Sequence, residues 1–506
     1  MFECSSIAAP HVADRSPTSP ARRMTKAVAV VVLAISSLAA SGGVLACSGS
    51  SPNWTSTIDY ASLSSCVSQA SAGDTINVSA GTATYASTIN ITKSLNIIGA
   101  GDTSSVINAS NVIVFKARMA SGAVRISGFG FTGSGGSTPL ESAVVQLSGE
   151  GSGVVDSARL DHLRFTSVGG WSVYIGEWWD NPQHPKVLLD HIAGVNLTNS
   201  FMKIAGNNNT WKLDDQYGSN FAVYLEDSNL AWSGGGAVTD TEYGGRFVVR
   251  YNTITNGSVQ MHDTGSTQGA KGNRIAEIYN NTFNCNSSQC PNLPAIGIRG
   301  GGSIIYGNVI SSNYGMVAWP QIWRASVGAG FLGGMCNGAA VSACDTPHYY
   351  HCSGGDHRVC GYPNDSVCSG IGSCVVAATG QSSCPTGATF IARLDNVNGG
   401  NDPSGWPCRN QTGWGKESAD GLTEQPSPVY WYANRNQNGS TVTPPNPQPT
   451  MFQENRDFCY HDPSTTCGAR SGWTYAAYAY PHPWQAASGS TTSGKMPAPG
   501  NLHATP

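Results

Sequence analysis

One position of a repeated sequence pattern carries mainly ionisable or tyrosine side chains. It directly follows the leading apolar residue of each repeat, and in chain order it is occupied by Ser127, Asp161, Asp190, Glu226, Arg250, Tyr279 and Tyr306. If the repeats stack as neighbouring β-strands, successive members lie roughly 5 Å apart. Adjacent carboxylates repel, so the column must bind a cation such as calcium, hold a proton at raised pKa, or be compensated by Arg250.

We therefore predict a metal site at Asp161, Asp190 and Glu226, with calcium as its ion. Arg250 is predicted to bind substrate. The alternative without function is a solvated face whose aspartates cap turns.

A second group of ionisable residues lies within and between the later repeats. Its members are Asp240, Glu242, Arg246, His262, Asp263, Lys271, Arg274 and Glu277, of which Asp240, Arg246, His262, Lys271, Arg274 and Glu277 are the predicted catalytic residues. Cleavage of a uronate-containing polysaccharide by β-elimination needs a base for the C5 proton and a cation that neutralises the sugar carboxylate. His262 would be the base. Arg246, Lys271 or Arg274 would neutralise the carboxylate.

Hydrolysis of a polysaccharide would use a pair of carboxyl groups instead. Asp240 with Glu277, or Asp161 with Asp190, would then act as acid and base. The alternative without function is a surface ion pair between Arg246 and Glu277, which contributes little to stability.

Aromatic residues and charge narrow the choice of ligand. Trp178 and Trp179 precede the turn sequence Asp180-Asn181-Pro182, and they would stack on sugar rings or cover the side of the fold. The sequence has no P-loop, dinucleotide-binding fingerprint, serine nucleophile elbow or HExxH motif. A formal net charge of −4 excludes nucleic acid as a partner, so we expect a polysaccharide.

Short repeats would position all of these side chains. Each repeat has a second apolar residue five positions after the first, and the leading members are Ile126, Leu160, Leu189, Leu225, Val249, Ile278 and Ile305. In the repeat of Leu189 the second residue slips to Val195. The leading residues are 24 to 36 positions apart, without helical periodicity between them, which predicts coils of three short strands and three turns. Asn252, Asn281 and Asn308 share the third position after the leading residue and predict a structural ladder of stacked amides.

Two segments near the start of the repeats carry a family resemblance. Residues 72–82 (AGDTINVSAGT) and 94–101 (SLNIIGAG) are similar to an opening coil, and Leu160-Asp161-His162 and Leu189-Asp190-His191 resemble a Trp-Ile-Asp-His strand of pectate lyases. The sequence thus resembles the right-handed parallel β-helix proteins of the pectin-lyase-like superfamily, well over 58–315 and weakly over 385–484. The resemblance implies an all-β, right-handed parallel β-helix (solenoid) with an N-terminal capping helix at 58–70. It implies no single activity, because the superfamily includes lyases, hydrolases, esterases and non-catalytic adhesins.

A cysteine-dense segment interrupts the repeats after Tyr314. Its cysteines are Cys336, Cys344, Cys352, Cys360, Cys368, Cys374 and Cys384. Histidines among them would permit zinc, but no Cys-x-x-Cys pair occurs and export favours oxidation, so we predict a disulfide-rich insertion. Cys285 with Cys290 and Cys459 with Cys467 are predicted local disulfides.

These features predict a domain order. It comprises a signal peptide at 1–46, a linker at 47–57, the β-helix core at 58–330, the Cys-rich insertion at 331–384, C-terminal coils and cap at 385–484 and a disordered tail at 485–506. Strand-like runs at Val429–Ala433 and Met451–Phe458 indicate that the coil resumes after the insertion.

The first residues predict export. Arg22, Arg23 and Lys26 precede an apolar run at 27–38, which is too short for a membrane-spanning helix of about 20 residues. The sequence up to Cys47 also resembles a lipobox, so we expect a protein that is secreted or attached to a membrane through lipidated Cys47. A retained Cys47 thiol leaves an even number of cysteines after Cys4 is removed with the signal.

Together these features predict an exported carbohydrate-active protein, a polysaccharide lyase or glycoside hydrolase acting on an extracellular polysaccharide. The alternatives are a non-catalytic cell-surface glycan-binding or adhesion protein and a purely structural protein. We expect a monomer, with calcium as the one candidate cofactor.

Overall fold

In this computed structural model the chain is mostly β-strand, paired in parallel. The structure describes residues 47–119, 122–137, 142–149, 157–176, 186–205, 217–242, 244–261, 273–320, 335–337, 348–352, 372–377, 389–391, 412–417, 424–445, 453–467 and 474–486. Within these ranges, no helix is long and apolar enough to cross a membrane.

Three ladders of parallel strands run through the molecule, and the coils between Thr75 and Pro320 contribute one strand to each ladder in turn. The first ladder contains Asn53–Ser56, Thr75–Val78, Leu95–Gly99, Ala123–Ser127, Ser157–Asp161, Val187–Asp190, Val223–Glu226, Arg246–Arg250, Ile275–Tyr279, Gly302–Tyr306, Val429–Tyr432 and Phe458–Cys459. Cys47–Ser50 pairs antiparallel with Asn53–Ser56 at its start.

The second and third ladders share two long strands, Asn229–Glu242 and Thr253–Gln260. The other strands of the second ladder are Gly81–Tyr85, Ser105–Ser110, Gly130–Ser134, Arg164–Thr166, Ala193–Leu197, Thr282–Asn284, Val309–Ile310 and Arg435–Asn436. The other strands of the third are Ile89–Ile91, Phe115–Met119, Ser142–Gly149, Trp171–Gly176, Met202–Ala205, Pro294–Ile298 and Met316–Pro320. This succession is compatible with an all-β solenoid.

The predicted repeat is confirmed, because its leading apolar residues are register partners. Leu160 pairs with Ile126 on one side and Leu189 on the other, and the same register continues through Leu225 and Val249. These side chains are fully buried in one apolar core that runs through the coils. Burial of apolar area at roughly 25 cal/mol per Å² is the main force that holds such coils together.

The predicted slip to Val195 is wrong. Gly194 pairs with Phe165 and with Leu230, so glycine occupies the second apolar position of this coil. A Cβ at Gly194 would lie 2.7 Å from the Leu197 Cδ1 atom. The Leu197 side chain therefore fills the volume that an apolar side chain occupies in the other coils.

A helix lies at the start of the ladders, within the range predicted for the cap. It spans Tyr60–Gln69, and the Asp59 side chain accepts a hydrogen bond from the Ser62 amide. Leu63 and Cys66 on its buried face belong to the apolar core. The Cys66 sulfur lies at disulfide-bonding distance from that of Cys47.

The asparagine ladder is confirmed and is one member longer than predicted. Asn252, Asn281, Asn308 and Asn434 are buried, and each side-chain nitrogen of the first three donates to the next side-chain oxygen at 2.8–3.0 Å. Each of these nitrogens also donates to a backbone carbonyl, for example Asn281 to Val249 at 2.8 Å. The ladder thus satisfies buried backbone groups in the turn.

The coil resumes after the insertion, as predicted. Val429–Tyr432 pairs with Gly302–Tyr306, and Phe458–Cys459 continues the first ladder. Of the predicted strand over Met451–Phe458, residues 451 and 452 lie outside the described residues, and within 453–458 only Phe458 belongs to a strand, Phe458–Cys459.

Short strands between these segments pair among themselves. Met335–Asn337, His348–Cys352, Gly372–Ala377 and Thr389–Ile391 form one sheet, and Trp414–Glu417 pairs with Glu424–Pro426.

Three smaller elements lie outside these sheets and ladders or at their margins. Gly136–Ser137 forms a small antiparallel pair with Ser142–Gly149. A 3₁₀-helix spans Cys290–Asn292, and a short helix spans Pro483–Ala486.

Two of the predicted disulfides lie at bonding distance, Cys285 with Cys290 and Cys459 with Cys467. Of the cysteines in the insertion, Cys344, Cys360, Cys368 and Cys384 lie outside the described residues. The predicted tail from residue 485 begins inside the Pro483–Ala486 helix, and its residues beyond 486 also lie outside the described part.

Candidate functional site

The predicted column of polar side chains exists in the predicted register. Asp161 pairs with Asp190, Asp190 with Glu226, and Glu226 with Arg250. Ser127 precedes Asp161, and Tyr279, Tyr306 and Tyr432 follow Arg250 along the same line. Because side chains alternate along a strand, the column lies on the outer face of the first ladder while the leading apolar residues face the core.

The charged members of the column are not open to solvent, although they lie outside the core. Asp161, Asp190, Glu226 and Arg250 are all 0% exposed. Residues 474–486, which we call the C-terminal segment, contact this part of the first ladder. Its main chain accepts hydrogen bonds from Arg250 through the Tyr478 and Ala479 carbonyls, at 2.7 and 2.8 Å.

Arginines compensate the carboxylates of the column. Arg125 donates from Nε and Nη2 to the two oxygens of Asp161, both at 2.7 Å, and Arg159 does the same to Asp190 at 2.8 Å. Arg250 Nε lies 2.6 Å from Glu226 Oε2. Bidentate pairs of this kind are strong and directional. Of the three sequence-based alternatives, the geometry therefore favours compensation by arginine, extended beyond Arg250 to Arg125 and Arg159.

These contacts do not suit a calcium ion at Asp161, Asp190 and Glu226. Calcium takes six to eight oxygen ligands, whereas each of these carboxylates already accepts a hydrogen bond from a guanidinium group. Within the described ranges no three His, Cys, Asp or Glu side chains are grouped so that they could hold a metal. Burial by itself would raise the pKa of Asp161, but hydrogen bonds from Arg125 and His162 and the charge of Arg159 hold it well below its usual range.

The histidines that directly follow the two aspartates of the column are accessible to solvent. His162 Nδ1 lies 2.9 Å from Asp161 Oδ2, and His191 Nδ1 lies 2.8 Å from Asp190 Oδ2. The imidazole rings are stacked with centroids 4.8 Å apart, and the side chains are 58% and 45% exposed. We call these two pairs the Asp–His dyads.

The turn geometry explains why the histidines point outward. His162 and His191 have φ angles of 53° and 55°, in the left-handed region. Asp227 and Tyr251 occupy the equivalent turn position of the following coils, with φ angles of 52° and 57°. A left-handed residue directly after the strand reverses the chain, so its side chain leaves the sheet at the corner between the first and second ladders.

The imidazole of each dyad can act as a base. An ionised aspartate accepts from Nδ1–H, which leaves Nε2 of the neutral imidazole as an exposed base. The hydrogen bond to Asp161 raises the pKa of His162 above its ordinary value, against a smaller opposing effect of burial. Sequence reasoning missed these histidines as functional residues, although the Leu-Asp-His triplet occurs at the same position of two successive repeats.

The second predicted cluster is divided between two ladders. Glu277 lies on the first ladder, where its oxygens accept hydrogen bonds from the Gly218 amide at 2.8 Å and the Tyr475 hydroxyl at 2.5 Å. Arg246 lies on the preceding strand with its guanidinium 5.0 Å from the Phe221 ring centre, and Arg274 donates to the Ser427 hydroxyl at 3.4 Å. All three charged side chains are buried, so the predicted surface ion pair of Arg246 and Glu277 does not lie at the surface.

Asp240 belongs to the third ladder. Its carboxylate lies 3.1 Å from Lys203 Nζ and 3.4 Å from Arg299 Nη2. Lys203 also lies 5.5 Å from the Trp171 ring centre. Asp240 and Glu277 therefore have different partners, on different faces.

The remaining predicted site residues, His262, Lys271, Trp178 and Trp179, lie outside the described residues. No protein-family model matches the sequence, and no curated protein matches it significantly.

Proposed function

We propose that this protein is a right-handed parallel β-helix of the pectin-lyase-like type, exported from the cell. The three ladders, the constant register and the helix at the N-terminal end support this proposal. The activity we propose is that of a lyase that cleaves an acidic extracellular polysaccharide by β-elimination.

The observation that carries the activity is the pair of exposed Asp–His dyads. In β-elimination, Nε2 of one imidazole takes the proton from C5 of a uronate residue. The electrons of that C–H bond form the C4–C5 double bond, and the C4–O bond to the next sugar breaks with its electron pair on oxygen. The leaving oxygen receives a proton from the second imidazolium or from water. The two bases lie one coil apart, which presents donor and acceptor on the same surface.

A cation near the dyads is available for the sugar carboxylate. Arg164 follows His162 by two residues and is 34% exposed, with its Nε 3.2 Å from Asp102 Oδ2. Asp102 is 32% exposed, so this pair is open to solvent and contributes little to stability. A uronate carboxylate can therefore replace Asp102 as the partner of Arg164.

Hydrolysis by the pair Asp161 and Asp190 is less well supported. A glycosidase needs one carboxyl group that is protonated at working pH. Asp161 is fully buried, and its arginine neighbours lower its pKa. An exposed imidazole is the better proton carrier at this surface.

The test is a screen of acidic and neutral polysaccharides, scored by absorbance of unsaturated products and by reducing ends. We expect unsaturated products from a polyuronate, and loss of at least about 100-fold in rate when both histidines are changed, as His162→Gln with His191→Gln. His461→Gln is the matched control, since this histidine lies in a C-terminal turn, with Nδ1 2.8 Å from the Asp462 carbonyl oxygen and its ring 6.3 Å from that of Tyr430. Full activity in the double variant would exclude the dyads. Reducing ends without unsaturated products would show hydrolysis, and retained binding without turnover would show a glycan-binding protein.

For location, we propose a secreted protein in which Cys47 is not lipidated and forms a disulfide with Cys66. The Cys47 sulfur lies at bonding distance from Cys66, and the same sulfur cannot also carry a thioether-linked lipid. Mass spectrometry of the mature N-terminal peptide, with and without reduction, separates the two states by the mass of the lipid.

A further inference from the structure

Arg159 contacts three parts of the molecule at once. Its Nε and Nη2 atoms donate to the two oxygens of Asp190, both at 2.8 Å, and Nε lies 3.6 Å from Asp161 Oδ1. Its Nη1 atom donates to the Trp484 carbonyl at 2.8 Å. The side chain is 3% exposed, so these groups replace water around the guanidinium.

The third contact joins the dyads to the C-terminal segment. Trp484 packs in an apolar cluster with Leu188 and Tyr224 on the outer face of the first ladder. Its carbonyl therefore holds Arg159 from the side opposite the strand. Arg125 provides a comparison, because it also makes a bidentate pair with Asp161 but is 21% exposed.

We propose that Arg159 is a positioning residue that couples the C-terminal segment to both Asp–His dyads. The proposal rests on the proposed function of those dyads. A guanidinium fixes the plane of a carboxylate through two parallel hydrogen bonds, which a lysine cannot do. The carboxylate of Asp190 in turn fixes the His191 ring, and the segment fixes the guanidinium.

Arg159 also acts through its charge. The groups that face His162 are Asp161, Asp190, Arg159 and the stacked ring of His191. The two carboxylates raise the pKa of His162, whereas the positive charge of Arg159 lowers it. Removing this charge leaves Asp190 without its bidentate partner and strengthens the negative field at the histidines.

The test uses Arg159→Gln and Arg159→Lys in the full chain. Two-dimensional NMR of the imidazole groups gives the titration of His162 directly, and hydrogen–deuterium exchange reports on residues 482–486. In Arg159→Gln we expect the pKa of His162 to rise by about half a unit or more, and exchange near Trp484 to accelerate. Arg159→Lys keeps the charge, so we expect the same acceleration with a smaller change in pKa. The lysine variant also supplies the test if the glutamine variant does not fold.

Tyr475→Phe is the matched control within the same segment. It removes the hydrogen bond to Glu277 and leaves Trp484 and Arg159 in place. We expect faster exchange around residue 475 and an unchanged titration of His162. A His162 titration that is the same in wild type and Arg159→Gln, or unchanged exchange near Trp484, would overturn the coupling.

Activity provides a second and separate readout. If the dyads are the bases, the acid limb of the kcat/KM profile in Arg159→Gln moves to higher pH together with the His162 titration. A shifted titration with no turnover of any polyuronate, in wild type or variant, would overturn the lyase proposal and support the coupling. The two proposals therefore fail by different observations.

Discussion

Glu277 makes the stability of this protein depend on pH in an unusual direction for a carboxyl group. Burial raises the pKa of Glu277 from its ordinary 4.5 to about 7, against the opposing effect of hydrogen bonds from Tyr475 and Gly218. In the unfolded chain the group returns to its ordinary value. Between these two values the folded state binds more protons than the unfolded state, so the free energy of unfolding falls as pH rises.

The size of the effect follows from the two values. One unit of pKa corresponds to about 1.4 kcal/mol, so the change from 4.5 to about 7 gives about 3 kcal/mol. This stability is fully present below pH 4.5 and is lost once pH has risen through about 7. Glu277→Gln is neutral at every pH, and its amide can still accept from Gly218 and bond to the Tyr475 hydroxyl.

The assay is urea unfolding of wild type and Glu277→Gln at several pH values from 4.5 to 8. We expect the free energy of unfolding of wild type to fall by about 3 kcal/mol relative to the variant across this range. Other titrating groups are common to both proteins, so the difference isolates Glu277. Two parallel profiles would refute the reasoning, because they would show that Glu277 titrates alike in the folded and unfolded chain.

Three further predictions concern the ladders. Arg250→Met removes the guanidinium that pairs with the buried Glu226, and we expect the free energy of unfolding in urea to fall by about 3–5 kcal/mol. Adding Glu226→Leu should recover part of this loss. If the effects of the two substitutions simply add, the pairing is contradicted. Asn281→Ala leaves the Val249 and Tyr279 carbonyls without their side-chain donor and should cost about 2 kcal/mol, and a neutral effect would show that the ladder does not contribute to stability. Cys47→Ser with Cys66→Ser opens a link between residues 19 positions apart and should cost about 3 kcal/mol relative to wild type without reductant. Reductant should destabilise the variant less than wild type, because the pairs Cys285–Cys290 and Cys459–Cys467 are common to both proteins.

The sequence was sufficient to predict the register of the first ladder, because the spacing of the leading apolar residues agrees there with the alternation of side chains along each strand. Leading apolar residues such as Leu160 and Leu189 must face the core, and the residue after each must then face outward. A shift by one residue would have buried Asp161 and Asp190 in the core, so the pattern admits a single register. The asparagine ladder strengthened the same alignment.

The cover over the column could not be predicted in this way. The C-terminal segment has no repeat, and it is about 230 residues away in sequence from Arg250, whose donors bind the Tyr478 and Ala479 carbonyls. Every residue has a backbone carbonyl, so no residue type marks these contacts. The pairing of Arg125 and Arg159 with the column was also missed. Each arginine lies two residues before a member of the column, and its guanidinium donates to the carboxylate of the next coil.

The C-terminal segment also determines which of the turn residues next to the column are accessible to a ligand. Constant register converts two Leu-Asp-His triplets, 29 residues apart in sequence, into two imidazoles 4.8 Å apart. In the next coil Asp227 takes the turn position, where it accepts from Tyr480 at 2.6 Å and Gln485 at 2.7 Å, and beyond it Tyr251 stacks on Tyr480. The row of turn side chains is thus open at the histidines and covered by the C-terminal segment at Asp227 and Tyr251, whereas Asn280 in the following coil is exposed again. Under the proposed function, a polysaccharide therefore reaches both histidines from the side of the coil that contains His162 and Arg164, where the C-terminal segment does not cover the turns.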